Sequence, residues 1–337
     1  MTIQLTGPAP AATPGNARRR RALDRIVPWA APAWVLAYGV LRAYWAAGNQ
    51  PEDLSPAGPD LVVFTGWGSV ALCGAAAAVL VALTHPAARH RPGRVLRAAA
   101  WAAAACLAAA GALLLLDVIG AVLPGLGVAF RPLGALSRAA CVTAAILTGL
   151  AALAHRRRTR VGCGCGAAAA GPLARTPAWA YRAAYLAVAG CAARVAAQAA
   201  VGFGESPLSG GLSALVFEAG FLLGGTLLPL ALVHPFGRTW PRLVPGLGGR
   251  RVPRRVVLWP ATAISAGLTV YFGLMLLLMC WERLHGRNPF PPEGGLDLPE
   301  VFFWVAVPAY VLWGAGMAVA ARAYARRTRV PCPACGR

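Results

Sequence analysis

Residues 133–161 read LGALSRAACVTAAILTGLAALAHRRRTRV. Between Leu133 and Ala154 the stretch carries one charge, Arg138. It is long enough to cross a hydrocarbon core, which takes about 20 apolar residues in a helix. The arginines that follow form the flank that the positive-inside rule assigns to the cytoplasmic side. The same ending returns near the C-terminus: Arg157-Arg158-Thr159-Arg160-Val161 is matched by Arg326-Arg327-Thr328-Arg329-Val330. A spanning helix closed by a recurring basic signature points to an all-α integral membrane fold built by repetition.

Seven further stretches have the same character, giving eight expected spans at 28–48, 61–84, 97–123, 133–154, 179–202, 212–233, 256–281 and 300–322. Across the 337 residues, 58% are hydrophobic, only 13% are charged and the mean hydropathy is +0.58, which excludes a water-soluble protein. All 32 basic residues are Arg against 11 acidic ones, a net charge of +21. In a soluble chain that balance suggests nucleic acid. Here 26 of the 32 arginines fall in the N-terminal tail and in the segments after spans two, four, six and eight, with their borders. The segments after spans one, five and seven carry Glu52, Asp53, Asp60, Glu205, Glu282, Glu293, Asp297 and Glu300 instead. This alternation predicts an inner-membrane protein with both termini cytoplasmic, its arginines touching the bilayer and its anionic lipids rather than nucleic acid. Trp29, Trp101, Trp179 and Trp259 mark expected inner borders; Trp45, Trp281 and Trp304 mark outer ones.

Two more signatures accompany the basic one in the same order. Pro32-Ala33-Trp34 and Pro177-Ala178-Trp179 open spans one and five, and Ala82-Leu83-Thr84-His85-Pro86 and Ala231-Leu232-Val233-His234-Pro235 close spans two and six. Three matches in register predict two tandem four-helix repeats. Four is even, so both share one orientation and pack about an axis along the membrane normal. The expected organisation is a disordered, basic cytoplasmic tail (1–27), a first repeat (28–166), a cytoplasmic linker (167–178) and a second repeat with a cysteine tail (179–337).

Each repeat ends in cysteines. Cys332 and Cys335 stand in Pro331-Cys332-Pro333-Ala334-Cys335-Gly336, the C-x-x-C-G form of a zinc knuckle; Cys163 and Cys165 form a shorter C-x-C copy. Four reduced cytoplasmic thiolates converging on one zinc is one reading; free or vestigial pairs, or a redox dithiol, are the others. Cys73, Cys106, Cys141, Cys191 and Cys280 lie singly within spans and read as small packing residues.

Four ionisable residues lie deep in spans, toward the outer side: Arg42, Asp117, Arg194 and Glu218, with Arg138 somewhat shallower. They read either as one water-accessible polar cluster, able to bind a solute or carry a proton, or as packing ion pairs and snorkelling arginines. His85 and His234 occupy matched positions, each before a proline, and read as helix terminators rather than ligands. Gly220-x-x-x-Gly224 offers a face for close helix contact. There is no H-E-x-x-H, nucleophile elbow, P-loop or dinucleotide fingerprint, and so no catalytic constellation.

Tyr44-Trp45-Ala46-Ala47-Gly48, with the Cys332–Arg337 tail, resembles uncharacterised bacterial multi-pass membrane proteins whose first span ends in Tyr-Trp-Ala-x-Gly-Gly and whose chain ends in C-x-x-C-G-R. Asn49 replaces the second glycine. The resemblance implies the multi-pass layout and assigns no activity. Functionally, the sequence points to a small-solute transporter or permease-like protein using Arg42, Asp117, Arg194 and Glu218. The alternative is a structural or regulatory membrane protein with a zinc site at Cys163, Cys165, Cys332 and Cys335.

Overall fold

In lipid a backbone must satisfy its own polar groups, so each apolar stretch folds as a helix. The computed structural model describes residues 14–56, 61–85, 93–124, 126, 128–159, 173–202, 212–242, 245–246, 248–290 and 298–329, with side chains from Ile26 onward. Among these, the α-helices are α1 Pro14–Tyr44, α2 Gly66–Thr84, α3 Arg94–Ala110, α4 Leu114–Val122, α5 Pro132–Arg158, α6 Ala178–Val201, α7 Leu212–Val233, α8 Arg254–Leu284 and α9 Glu300–Arg327. Seven helices are long and apolar enough to cross a membrane, or eight if the bent pair α3–α4 is one span. The one β-pairing among the described residues is an isolated antiparallel bridge, Thr239–Arg251.

Several boundaries differ from the sequence reading; α2, for example, begins at Gly66 rather than at residue 61. Helix α1 starts at Pro14 rather than near residue 28, so part of the basic segment expected to be tail is helical and continuous with the span. Ala, Leu and Arg are good helix formers, and the span supplies a nucleus for them to extend. The third span is interrupted: α3 stops at Ala110 and α4 resumes at Leu114, bent by 40°. Gly111 sits at that break because a Cβ there would meet Arg138 O at 3.3 Å and, closer still, the Val142 side chain. The break gives α4 its own N-terminus, with Asp117 in its first turn, where a carboxylate is favoured by the helix dipole.

Two main cores form. One gathers side chains of α1, α2, α3 and α5 around Val35, Tyr38, Leu80, Leu107 and Cys141; the other gathers α6, α7, α8 and α9 around Cys191, Leu232, Trp313, Met317 and Tyr324. A smaller cluster about Met279, Phe302 and Phe303 extends the second. Where α3 and α4 lie against α8, Leu115 packs onto the second core. An added Cβ at Gly267 would lie 3.9 Å from the Leu115 Cβ. Ser213 Oγ also donates to Pro124 O at 2.7 Å.

Close helix contact uses glycines other than those expected. Nothing lies within 4 Å of a Cβ added at Gly220 or Gly224, whereas one at Gly225 would run into Cys191 Sγ. Helices α6 and α9 approach through Gly190, whose Cβ would stand 2.6 Å from Ala309 O and 2.8 Å from Trp313 N. Small residues at such crossings let backbones meet and gain dispersion contacts. The Gly220/Gly224 pair lies on the open face of α7, so its spacing matches a contact motif without making the contact.

For the account of sites, the end bearing Glu52, Asp53, Glu282 and Glu300 is the acidic end. That bearing Arg156–Arg158, Arg326 and Arg327 is the Arg-rich end.

Candidate functional site

The buried charges assemble as two separate groups near the acidic end, one in each core. In the first, Arg42 lies in the last turn of α1, where the helix dipole favours a cation. Its Nε donates to Ser69 Oγ at 3.0 Å, and its Nη2 donates to the carbonyl of Phe64. Ser69 Oγ in turn donates to Gly66 O at 2.7 Å. The guanidinium carbon lies 4.6 Å from the Phe64 ring centre and 5.2 Å from that of Trp45. Arg42 is 5% exposed, so it turns into the protein and does not snorkel. Among the described residues, no carboxylate pairs with it.

Beside it, Arg138 on α5 holds Asp117 on α4: Nε to Oδ2 at 2.7 Å and Nη2 to Oδ1 at 3.3 Å. Nη2 also donates to Leu54 O at 2.8 Å. Tyr38 and Ser137 share a hydroxyl hydrogen bond of 3.0 Å. A cavity of about 50 Å³ opens among Tyr38, Arg42, Gln50, Thr65, Ser137 and Arg138. That volume accommodates about three or four waters. The loop after α1 passes across this region because α5 has no side chain at Gly134; a Cβ there would collide with Leu54 O.

The second group is closed. Arg194 on α6 donates from Nη1 to both carboxylate oxygens of Glu218 on α7, at 2.9 Å each, and from Nε to the Tyr310 hydroxyl at 3.0 Å. The guanidinium lies 4.7 Å from the Phe221 ring centre. Tyr310 stacks flat on Phe272, 3.8 Å between centroids, and Phe221 packs edge-on against Trp313 at 4.6 Å. Aromatic faces and a carboxylate therefore take up the guanidinium. One turn further along α6, Gln198 Oε1 is buried without a partner while Nε2 donates to Gly202 O at 3.0 Å.

The four candidates Arg42, Asp117, Arg194 and Glu218 thus do not form one cluster. Glu218 finds Arg194, Asp117 finds the shallower Arg138, and Arg42 is held by neutral oxygens and rings. The hydroxyl partners Tyr38, Ser69, Ser137 and Tyr310 were not expected. A signal existed for one: Tyr38 precedes Arg42 by one helical turn and so shares its face.

His85 adopts extended backbone at the end of α2, and His234 does so before the short Pro235–Gly237 turn, as terminators should. His234 Nε2 meets the Tyr185 hydroxyl at 3.1 Å. Of the five cysteines expected to pack, Cys73, Cys141 and Cys191 are buried in the two cores, whereas Cys106 and Cys280 are exposed. Among the described residues, no group of three or more His, Cys, Asp or Glu can hold a metal ion. Cys163, Cys165, Cys332 and Cys335 lie outside the described residues. Comparison with protein-family models, curated proteins and solved structures gave no match.

Proposed function

We propose that this is an inner-membrane, permease-like protein that takes a small solute into its first four-helix half, with the second half as a closed support. The termini are cytoplasmic in this reading and the acidic end faces outward, following the arginine distribution. The observation that carries the reading is the polar cavity beside Arg42, whose buried guanidinium has neutral partners among the described residues. In the other half the equivalent depth is filled by an ion pair and stacked rings, with the chemistry of a structural element.

The halves are two tandem repeats. Helix α1 packs on α2 and α5, and α3 on α5 and α2; likewise α6 packs on α7 and α9, and α8 on α9 and α7. At the Arg-rich end, His155 Nδ1 of α5 meets Leu83 O of α2 at 3.3 Å, and Arg327 of α9 donates to Val233 O of α7 at 3.4 Å. In the register of the sequence repeat the acceptors Leu83 and Val233 are one position apart, and the donors differ by three, since His155 aligns with Tyr324. After duplication, one copy kept an open polar pocket and the other sealed it.

The test is flux in proteoliposomes, using sodium formate, glycerol and choline chloride as probe solutes. At least one probe is expected to cross faster than in empty vesicles, and Tyr38→Phe/Ser137→Ala should change that rate by about tenfold. Folded, monodisperse protein that speeds none of the three defeats the permease reading.

A further inference from the structure

Resting on that reading, we infer that the cavity beside Arg42 is an oxoanion site: it takes a compact carboxylate-like or nitrate-like group, with Arg42 as its principal ligand. Three observations converge. First, Arg42 is a cation at 5% exposure whose described partners, Ser69 Oγ and Phe64 O, are neutral. In a low-dielectric setting a guanidinium balanced only by dipoles and ring faces attracts an anion far more strongly than in water. Second, that arrangement occupies Nε and one donor of Nη2, and Nη1 donates to no group among the described residues. The remaining Nη1/Nη2 edge is the planar fork that matches two oxygens of one carboxylate. Third, the cavity, about 50 Å³, suits a group of roughly four heavy atoms.

The other polar groups of the lining fit the same ligand. The Tyr38 and Ser137 hydroxyls, bonded to each other at 3.0 Å, have one proton that can turn toward an anion. Gln50 and Thr65 also line the cavity. Asp117, the acidic residue of this group, is engaged by Arg138 at 2.7 Å. A cation would meet two guanidinium groups, and a purely apolar solute would strip these groups of water without replacing their hydrogen bonds. A free oxoanion and the phosphate of an anionic lipid headgroup share this chemistry, and the experiment separates them.

The experiment measures thermal stabilisation and titration calorimetry of the full chain in neutral detergent, with sodium formate, sodium nitrate and, separately, solubilised phosphatidylglycerol. Choline and glycerol are the cationic and neutral controls. Saturable binding of formate or nitrate, weakened about tenfold or more in Arg42→Gln and only partly in Arg42→Lys, supports a free-anion site. Saturation by phosphatidylglycerol alone, with the same Arg42 dependence, supports the oxoanion site and makes a lipid its source. Absence of saturation by any anion, or equal binding by Arg42→Gln, overturns it. Should Arg42→Gln not fold, Tyr38→Phe/Ser137→Ala replaces it, with a threefold or greater loss expected on roughly the scale of a lost hydrogen bond. The flux assay is scored separately. Glycerol or choline flux without anion binding removes the oxoanion assignment alone, and anion binding without flux removes the permease reading alone.

Discussion

Arg194 and Arg42 illustrate how one residue type serves two ends. Arg194 meets a carboxylate on the neighbouring helix, a phenol and an aromatic face, so its charge is balanced within the protein. Removing one partner of such a pair leaves an uncompensated charge and costs about 3–5 kcal/mol, whereas removing both costs less. Glu218→Gln or Arg194→Gln alone should therefore lower the thermal midpoint sharply. The double variant should sit well above the sum of the two losses, with a coupling of about 1–3 kcal/mol in a double-mutant cycle. Additive losses would mean that the pair stabilises nothing as a pair. Neutralising Arg42 removes a cation whose protein partners are neutral oxygens, so it should cost less stability than neutralising Glu218 and show its main effect on ligand binding.

At the level of the helix, glycines separate chain-ending roles from packing roles. Gly48 closes the first span at φ +104°, a conformation L side chains rarely adopt, in open surroundings. Asn49 Nδ2 donates back to Tyr44 O at 3.2 Å, so the residue that replaces the motif's second glycine caps the helix end. Gly48→Ala should cost about 1–2 kcal/mol through backbone strain alone. Gly190→Ala places a Cβ against the α9 backbone and should cost about 1–3 kcal/mol by overpacking, while Gly224→Ala, on an open face, should be neutral or slightly stabilising. Fluorescence-detected size exclusion after graded heating ranks the three. A Gly190→Ala protein as stable as Gly224→Ala would mean that α6 and α9 do not approach through this glycine. The broken third span was not legible beforehand, because 97–123 has no proline to mark a break; the interruption arises where Gly111 must clear the α5 chain.

For the whole molecule, the question is whether the two halves move against each other. Transporters with parallel repeats commonly bind at the interface between halves, yet both charged groups here lie inside their own cores. The seam near Leu115 and Gly267 is apolar and close enough for a disulfide, which needs Cβ atoms about 3.5–4.5 Å apart. In the proposed reading the first half works within itself. Oxidised Leu115→Cys/Gly267→Cys should therefore keep its flux, within about twofold of the reduced form. Loss of flux on oxidation, restored by reductant, would instead assign the work to motion across the seam.

The amino-acid sequence by itself determined the class of fold and the approximate stretches that cross. Hydrophobic length and arginine clustering are local properties, set by the thickness and surface charge of a bilayer whatever the neighbours are. It also marked which charges lie deep within spans, since depth can be counted along one helix. Only the tertiary structure decided their partners. Asp117 joins Arg138 and Glu218 joins Arg194 because helices α4 and α5, and α6 and α7, place them side by side, a fact of packing that no spacing along the chain encodes. The same packing turned Arg42 inward onto Ser69 and Phe64, left a cavity beside it and filled the corresponding depth of the second half with aromatic rings. A guanidinium at a given depth is chemically the same in both halves. What differs is the set of side chains that neighbouring helices bring to within about 3 Å of it, and that alone makes one a strut and the other a candidate site.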